Sequence, residues 1–171
     1  MSSLENIKKK IFNSASAFEK QLNYYRFNKS RMVFTNGCFD IMHLGHIDYL
    51  SKAADLGDVL IVGLNSDLSV GKIKGEGRPI IDIHSRSILL ASLSFVDAVV
   101  IFDEETPLNL IRFVLPDVLV KGNDYTVDKI VGAKEVIKNG GKVITIELVK
   151  GYSTTLIEKK ILKNLDNKGI F

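Results

Sequence analysis

Short apolar runs alternate along this chain with longer segments that have a helical pattern. The runs are RMVFT (31–35), DVLIVGL (58–64), VDAVVIF (96–102), DVLVKG (117–122) and KVITIEL (142–148). Because parallel strands cannot be joined by tight turns, runs separated by helical segments predict parallel strands with helical crossovers. Strands as uniformly apolar as these are typical of a sheet covered on both faces. We therefore expect an α/β fold with a doubly wound, five-stranded parallel sheet and helices on both faces.

The segment before the first apolar run has a different pattern. From residue 4 to residue 25 its apolar side chains recur at steps of three and four, with lysines between them, which predicts one amphipathic helix. Residues 1–30 are then a leading helix and its link, and residues 31–171 form the domain. Further helices are predicted at 44–56, 66–71, 84–94, 107–115, 127–139 and 154–165.

Polar residues follow each predicted strand at its carboxyl end. They form the stretches TNGCFD (35–40), NSD (65–67), FDEETP (102–107), KGNDY (121–125) and KGYSTT (150–155). In a doubly wound sheet, ligands bind beyond the carboxyl ends of the strands, so we expect a site where these stretches meet. The glycine-rich stretch KIKGEGRP (72–79) is typical of a mobile loop.

Composition narrows the class of protein. No apolar stretch approaches the roughly 20 residues needed to span a bilayer, and the start of the chain has no apolar signal region, so we expect no membrane partner and no export. The single cysteine, Cys38, excludes an internal disulfide and fits a reducing cytoplasm. The net charge of +3 is too small to indicate a nucleic-acid partner. We expect a cytoplasmic protein with small-molecule substrates.

Two of the three histidines, His43 and His46, lie three residues apart in TNGCFDIMHLGH (35–46). They fall at the start of a predicted helix, where unpaired backbone N–H groups and a partial positive charge favour an anion such as phosphate. Gly37 before the pair and Gly45 within it would let a ligand approach closely. The alternatives are packing or capping at a helix end, and half of a zinc site with Cys38 and Asp40. Zinc does not explain the glycines, whereas phosphate does.

Four motifs carry a resemblance to a known family. NGCFDIMHLGH, KGEGRPI, KGNDY and GYSTT occur in this order between about residues 31 and 162. They resemble the nucleotidyltransferases with the histidine-any-glycine-histidine signature, the cytidylyltransferase-like family, and within it the adenylyltransferase domain of bacterial ADP-heptose synthase. The resemblance implies a Rossmann-like fold and transfer of AMP from ATP to a heptose 1-phosphate, with ADP-heptose and pyrophosphate as products.

The resemblance also implies roles for individual residues. His43, His46 and Lys74 would be catalytic, with the histidines on the nucleotide's phosphates, although Lys74 could also be a solvated loop residue. Arg78 and Arg86 would contact phosphate or the acceptor, with a surface salt bridge as the alternative for Arg86. The nucleotide would be bound by the two histidines together with Thr35, Asn36, Gly37, Cys38, Phe39, Lys121, Gly122, Asp124, Ser153 and Thr154. Ser153 and Thr154 would also cap the last helix.

The family implies Mg²⁺ as cofactor, with no metal site built by the protein, ATP and a sugar 1-phosphate as substrates, and a homodimer. Glycerol-phosphate cytidylyltransferases carry an arginine shortly before their serine-threonine motif, whereas ELVKGYSTT has only Lys150 there. This departure favours ATP over CTP. Two alternatives stay open: a cytidylyltransferase acting on glycerol 3-phosphate or a similar polyol or amino-alcohol phosphate, and a non-catalytic nucleotide-binding module.

Overall fold

Parallel strands form a single sheet at the centre of the molecule. The computed structural model describes residues 2–123 and 126–166. Within these ranges the strands are β1 Ile11–Phe12, β2 Met32–Gly37, β3 Val59–Asn65, β4 Ala98–Phe102, β5 Val118–Gly122 and β6 Lys142–Ile146. They pair in parallel in the order β1-β4-β3-β2-β5-β6. The prediction of a parallel sheet is confirmed.

Helices connect successive strands as predicted. They are α1 Ser3–Lys8, α2 Ala15–Phe27, α3 Leu44–Ala54, α4 Asp67–Lys74, α5 Ile83–Ser92, α6 Leu108–Val114, α7 Ala133–Lys138 and α8 Thr154–Asp166. The helix predicted over 127–139 is divided into a 3-10 turn, Val127–Lys129, and α7, because Gly132 takes a left-handed conformation between them. None of the helices in the described ranges is both long enough and apolar enough to cross a membrane.

Two hydrophobic cores lie on opposite faces of the sheet. Val33 and Phe34 are neighbours on β2, and their side chains point to different faces. Val33 packs in one core with Leu50 of α3, whereas Phe34 packs in the other with Phe18 of α2 and Ile111 of α6. All five side chains are fully buried. The arrangement is the doubly wound one, with helices on both faces.

The sheet has one strand more than the five predicted. Ile11 and Phe12 pair with Val99 and Val100 of β4, so the added strand covers an edge of the sheet. The prediction of one continuous helix over 4–25 was therefore wrong. The helical spacing of apolar residues continues through this segment, but Ser14 starts a new helix because its hydroxyl accepts a hydrogen bond from the Ala17 backbone N–H at 3.1 Å.

The leading segment shares a core with the sheet. Phe18 and Leu22 of α2 are fully buried against strands and helices from later in the chain. Lys10 donates hydrogen bonds to the carbonyl oxygens of Leu93 and Val96, which fixes the short strand β1 beside the end of α5. Packing therefore joins residues before position 30 to the rest of the fold.

The direction of winding reverses next to β2. The chain moves from β2 to β3 and β4 on one side, and later places β5 and β6 on the other side. The carboxyl ends of β2 and β5 therefore flank a crevice at the point where the strand order reverses. In open α/β sheets this crevice is where ligands bind.

Candidate active site

A cavity of about 570 Å³ opens at this crevice. Its volume is in the range of small-molecule sites. Asn36 and Gly37 reach it from the end of β2, and Lys121 and Gly122 from the end of β5. Its walls are completed by Cys38, Phe39, Asp40, His43, Gly45, His46, Tyr49, Asn65, Ile73, Lys74, Glu105, Leu148, Val149, Tyr152, Ser153, Thr154 and Thr155.

The rings of His43 and His46 stack against each other in this cavity. Their centroids are 3.8 Å apart and their planes are inclined by 20°. His43 is the residue before the first turn of α3 and His46 lies within that turn, so a spacing of three puts both rings on one side of the helix start. A Cβ atom at Gly45 would lie 3.1 Å from the His43 ring and 3.3 Å from the Tyr152 Cβ. Glycine therefore leaves room for the His43 ring.

Burial keeps both imidazoles neutral near pH 7. Burial, and then the neighbouring His43 and Lys74, lower the pKa of His46 from 6.5 to about 4. Burial also lowers the pKa of His43. The Nδ1 atoms of both rings are buried without a hydrogen-bond partner, and the His43 side chain makes no capping hydrogen bond. Capping by His43 therefore does not explain the pair, and two neutral rings retain hydrogen-bonding capacity.

Asp40 organises the loop between β2 and the histidines. Its carboxylate accepts hydrogen bonds from the backbone N–H groups of Ile80 and Ile81 and from Arg78. Burial alone would raise the pKa of this carboxyl, but these hydrogen bonds outweigh burial and hold it below its usual value. Within residues 2–123 and 126–166, no three His, Cys, Asp or Glu side chains lie together as a metal site would require.

Two lysines bring positive charge to the cavity. Lys74 is the last residue of α4 and lines the cavity together with both histidines. Lys121 extends from the end of β5 across the crevice and donates hydrogen bonds to the carbonyl oxygen and the side-chain oxygen of Asn36. Positive groups on two sides of the histidines favour an anionic ligand.

The start of α8 forms the opposite wall. The Ser153 hydroxyl accepts a hydrogen bond from the Leu156 backbone N–H at 3.2 Å, which confirms that Ser153 caps this helix. The next two residues, Thr154 and Thr155, also line the cavity. The amino-terminal end of a 13-residue helix, with its partial positive charge, thus faces the same space as the two histidines.

Three residues predicted for the site do not line the cavity. Thr35 is fully buried, and its hydroxyl pairs with that of Tyr49 at 2.7 Å. Arg86 is also fully buried, and its guanidinium donates to the carbonyl oxygens of Ile81, Cys38 and Asn65 and to the Asp67 carboxylate. Its donors serve the protein rather than a ligand, and a surface salt bridge does not describe it either. Arg78 is paired with Asp40 and Glu158.

The remaining predicted residues lie together around the cavity, except Asp124, which is outside the described residues. Sequence reasoning missed several lining residues that are apolar or distant in sequence. Ile73, Leu148 and Val149 carry no functional signal of their own, and Glu105 lies in a loop that comes close only through the fold. Tyr152 also lines the cavity and is 47% exposed.

The fold and the paired histidines define a class of protein, a Rossmann-like nucleotidyltransferase domain. Residues 34–160 match the family model described as Cytidylyltransferase-like. The match covers most of the chain, including both histidines and the start of α8. The chain belongs to the cytidylyltransferase-like family.

Curated relatives extend this finding. Three proteins named bifunctional protein HldE are similar to the chain. The relative from Geobacter sulfurreducens is 55% identical over 133 residues, which is 78% of this chain and 27% of the relative. The relative from Campylobacter concisus is 55% identical over 142 residues, 82% of this chain and 29% of the relative. The relative from Nitrobacter hamburgensis is 48% identical over 151 residues, 88% of this chain and 31% of the relative. The chain spans less than a third of the length of each.

Solved structures show the same fold. The lipopolysaccharide core biosynthesis protein from Thermoplasma volcanium GSS1 is 33% identical, with a TM-score of 0.57, and the match covers 72% of this chain and 99% of that one. A pantoate-beta-alanine ligase from Francisella tularensis gives a TM-score of 0.58 at 18% identity, and the match covers 86% of this chain and 75% of that one. The second likeness supports the fold alone.

Proposed function

We propose that this chain transfers AMP from ATP to a heptose 1-phosphate, giving ADP-heptose and pyrophosphate. The observation that carries the proposal is the stacked pair His43 and His46, which lines the cavity at the switch point of the sheet. The similarity to the HldE proteins supports the substrate class, as does the likeness to a lipopolysaccharide core biosynthesis protein.

The reaction is a direct in-line displacement. A phosphate oxygen of the sugar 1-phosphate attacks the α-phosphorus of ATP, a new phosphorus–oxygen bond forms, and the bond to the bridging oxygen of pyrophosphate breaks. The nucleophile is already an anion, so positioning and electrostatic stabilisation suffice and no covalent enzyme intermediate is required. Neutral imidazoles of His43 and His46 donate hydrogen bonds to phosphate oxygens as charge develops there.

The positive groups around the histidines are proposed to hold the rest of ATP. Lys74 neutralises charge on the departing pyrophosphate, and the start of α8, with Ser153 and Thr154, binds phosphate through backbone N–H groups. The backbone from Asn36 to Phe39, with Lys121 and Gly122, lies along the nucleoside. This assignment is supported by the positions of these groups around one cavity.

Mg²⁺ is proposed to enter together with the phosphates of ATP. The Asp40 oxygens are engaged by Ile80, Ile81 and Arg78, so the cavity carboxylate that suits an ion bound mainly by phosphate and water is that of Glu105. When bound, the ion neutralises negative charge on the phosphates. The residues present therefore fit a nucleotide-borne ion.

Two finer statements belong to the same proposal. We expect a homodimer, and exposed apolar side chains such as Leu156 and Leu162 of α8 support association. We expect a cytoplasmic location, which the single cysteine and the requirement for ATP support. Light scattering of the purified chain at several concentrations measures the first, and cell fractionation measures the second.

Pyrophosphate release with different acceptors tests the proposed function. We expect release from ATP with heptose 1-phosphate and none with glycerol 3-phosphate or ethanolamine phosphate. Release that requires CTP and glycerol 3-phosphate would favour the cytidylyltransferase alternative. Nucleotide binding without turnover for every pair would favour a non-catalytic module.

A further inference from the structure

Helix α8 contributes a cavity wall, yet most of the helix is exposed. Ser153, Thr154 and Thr155 at its start line the cavity, whereas Leu156, Ile161 and Leu162 are 50%, 52% and 58% exposed. A helix with so much exposed apolar surface gains little from core packing, because helical stability in proteins comes mainly from tertiary contacts. Specific polar contacts therefore matter for its position.

Arg78 provides such a contact. Its Nη2 atom lies 2.5 Å from Glu158 Oε1 in the second turn of α8, and its Nη1 atom lies 3.1 Å from Asp40 Oδ2. The side chains of Arg78 and Glu158 are each 23% exposed, and that of Asp40 is fully buried. One guanidinium thus bridges two carboxylates from different walls of the cavity.

The bridge joins three parts of the site. Asp40 belongs to the loop that leads to the histidines, and it also accepts hydrogen bonds from the backbone of Ile80 and Ile81. Arg78 lies four residues after Lys74, so its ion pairs anchor the far end of the loop that follows the cavity lysine. The third part of the site is the start of α8, the helix to which Glu158 belongs.

We propose that Arg78 is a positioning residue that holds α8 against the cavity through its ion pairs with Glu158 and Asp40, an arrangement we call the clasp. The clasp itself is a property of the ligand-free protein. Its kinetic consequence rests on the proposed function, because the start of α8 binds phosphate only if ATP is the substrate. Arginine suits the role since its planar fork serves two carboxylates at once, whereas a lysine ammonium is a single point charge.

The test compares Glu158→Ala with a matched control, Glu135→Ala. Glu135 is 26% exposed and forms the same kind of ion pair, with Arg112, but neither residue lines the cavity. Amide hydrogen exchange of residues 153–160 is measured first in the ligand-free proteins, followed by kcat and KM for ATP.

In Glu158→Ala we expect amide exchange in residues 153–160 to become about fivefold faster and KM for ATP to rise about fivefold. A change of about fivefold corresponds to the upper range for a partly exposed ion pair. We expect kcat to change by less than about twofold. We expect Glu135→Ala to leave the exchange rate of residues 153–160, KM for ATP and kcat as in the wild type. Arg78→Lys is expected to speed exchange both in residues 153–160 and in residues 36–41.

Unchanged exchange of residues 153–160 in Glu158→Ala would overturn the clasp, as would wild-type exchange in both segments of Arg78→Lys. An equal rise of KM in Glu135→Ala would overturn it as well, because the effect would then not be specific to α8. If the wild type does not turn over ATP, the proposed function fails, and the exchange measurements still decide the clasp.

Discussion

At the scale of single residues, burial of the histidine pair lowers the pKa of both imidazoles. An imidazolium in a buried stack would lie against another ring without solvent to screen its charge, so burial favours the neutral form. The spacing of His43 and His46 predicts that both reach one side of a helix start. The stacking at 3.8 Å and the contact of His46 with Phe39 are local, but the approach of Tyr152 to Gly45 comes from the fold, because Tyr152 is distant in sequence.

Replacing either histidine by alanine tests its role in turnover. We expect His43→Ala and His46→Ala each to lower kcat on the order of 10²-fold, the size typical for loss of a transition-state hydrogen-bond donor. His84→Ala is the matched control, because His84 is exposed and does not line the cavity. Steady-state kinetics that show near-normal turnover in both cavity variants would refute the phosphate role.

The depressed pKa of His46 predicts a dependence of stability on pH. The unfolded chain binds a proton at His46 near pH 6.5, whereas the folded protein binds it only near pH 4. The unfolded state therefore holds more protons between these values, so the free energy of unfolding falls as pH falls from 6.5 to 4. Allowing for partial exposure of the ring, we expect His46 to account for a loss of about 2 kcal/mol.

The variant His46→Gln isolates this contribution. Urea denaturation at pH 7.5 and pH 4.5 should show a smaller loss of stability in the variant than in the wild type, because glutamine does not titrate. Losses of equal size in the two proteins would show that His46 is not the source.

At the scale of elements, sequence pattern predicted the strands well and the contacts between elements poorly. Apolar runs locate β2 to β5 because a strand buried on both faces must be apolar throughout, and a run of the same kind locates β6 although this edge strand is partly exposed. The two-residue strand β1 has no such run, and it exists because the edge of β4 is available for pairing. The resemblance assigned Arg86 to phosphate or the acceptor. The sequence could not show that Arg86 is buried among the carbonyl groups of Ile81, Cys38 and Asn65, because only the fold brings these groups together.

Arg86 is expected to stabilise the loop and helices around it. In Arg86→Met, the carbonyl groups of Cys38 and Asn65 and the Asp67 carboxylate lose their donor. We expect a loss of about 3 kcal/mol in the free energy of unfolding, the lower range for breaking a buried ion pair because Asp67 is 41% exposed. Arg112→Met, at an exposed ion pair, should cost less than about 1 kcal/mol in the same urea titration. Equal losses in the two variants would contradict this role.

Lys74, at the end of α4, is expected to act with the histidines. Lys74→Ala should lower kcat by about tenfold because a positive charge near the departing phosphates is lost. Lys72→Ala is the control, since Lys72 is exposed on the same helix and does not line the cavity.

We also expect residues 72–79 to resist trypsin when ATP is bound. Equal cleavage with and without ATP would count against movement of this segment.

At the scale of the whole molecule, the position of the site follows from topology. Five predicted strands with polar carboxyl ends already indicated a crevice there, and the structure places it between β2 and β5, where the strand order reverses. Sequence alone could not give the strand order, because order depends on which helices cover which face. The identity of the nucleotide likewise depends on loop groups that meet only in the folded chain.

The ratio of kcat/KM for ATP to that for CTP, with heptose 1-phosphate as acceptor, tests the central claim most directly. A site that selects adenine leaves polar groups unpaired when cytosine binds, and this penalty rejects the wrong base. We predict a ratio of at least about ten, which corresponds to about 1.4 kcal/mol. A ratio near or below one, or faster reaction of CTP with glycerol 3-phosphate, would contradict adenylyl transfer to a heptose.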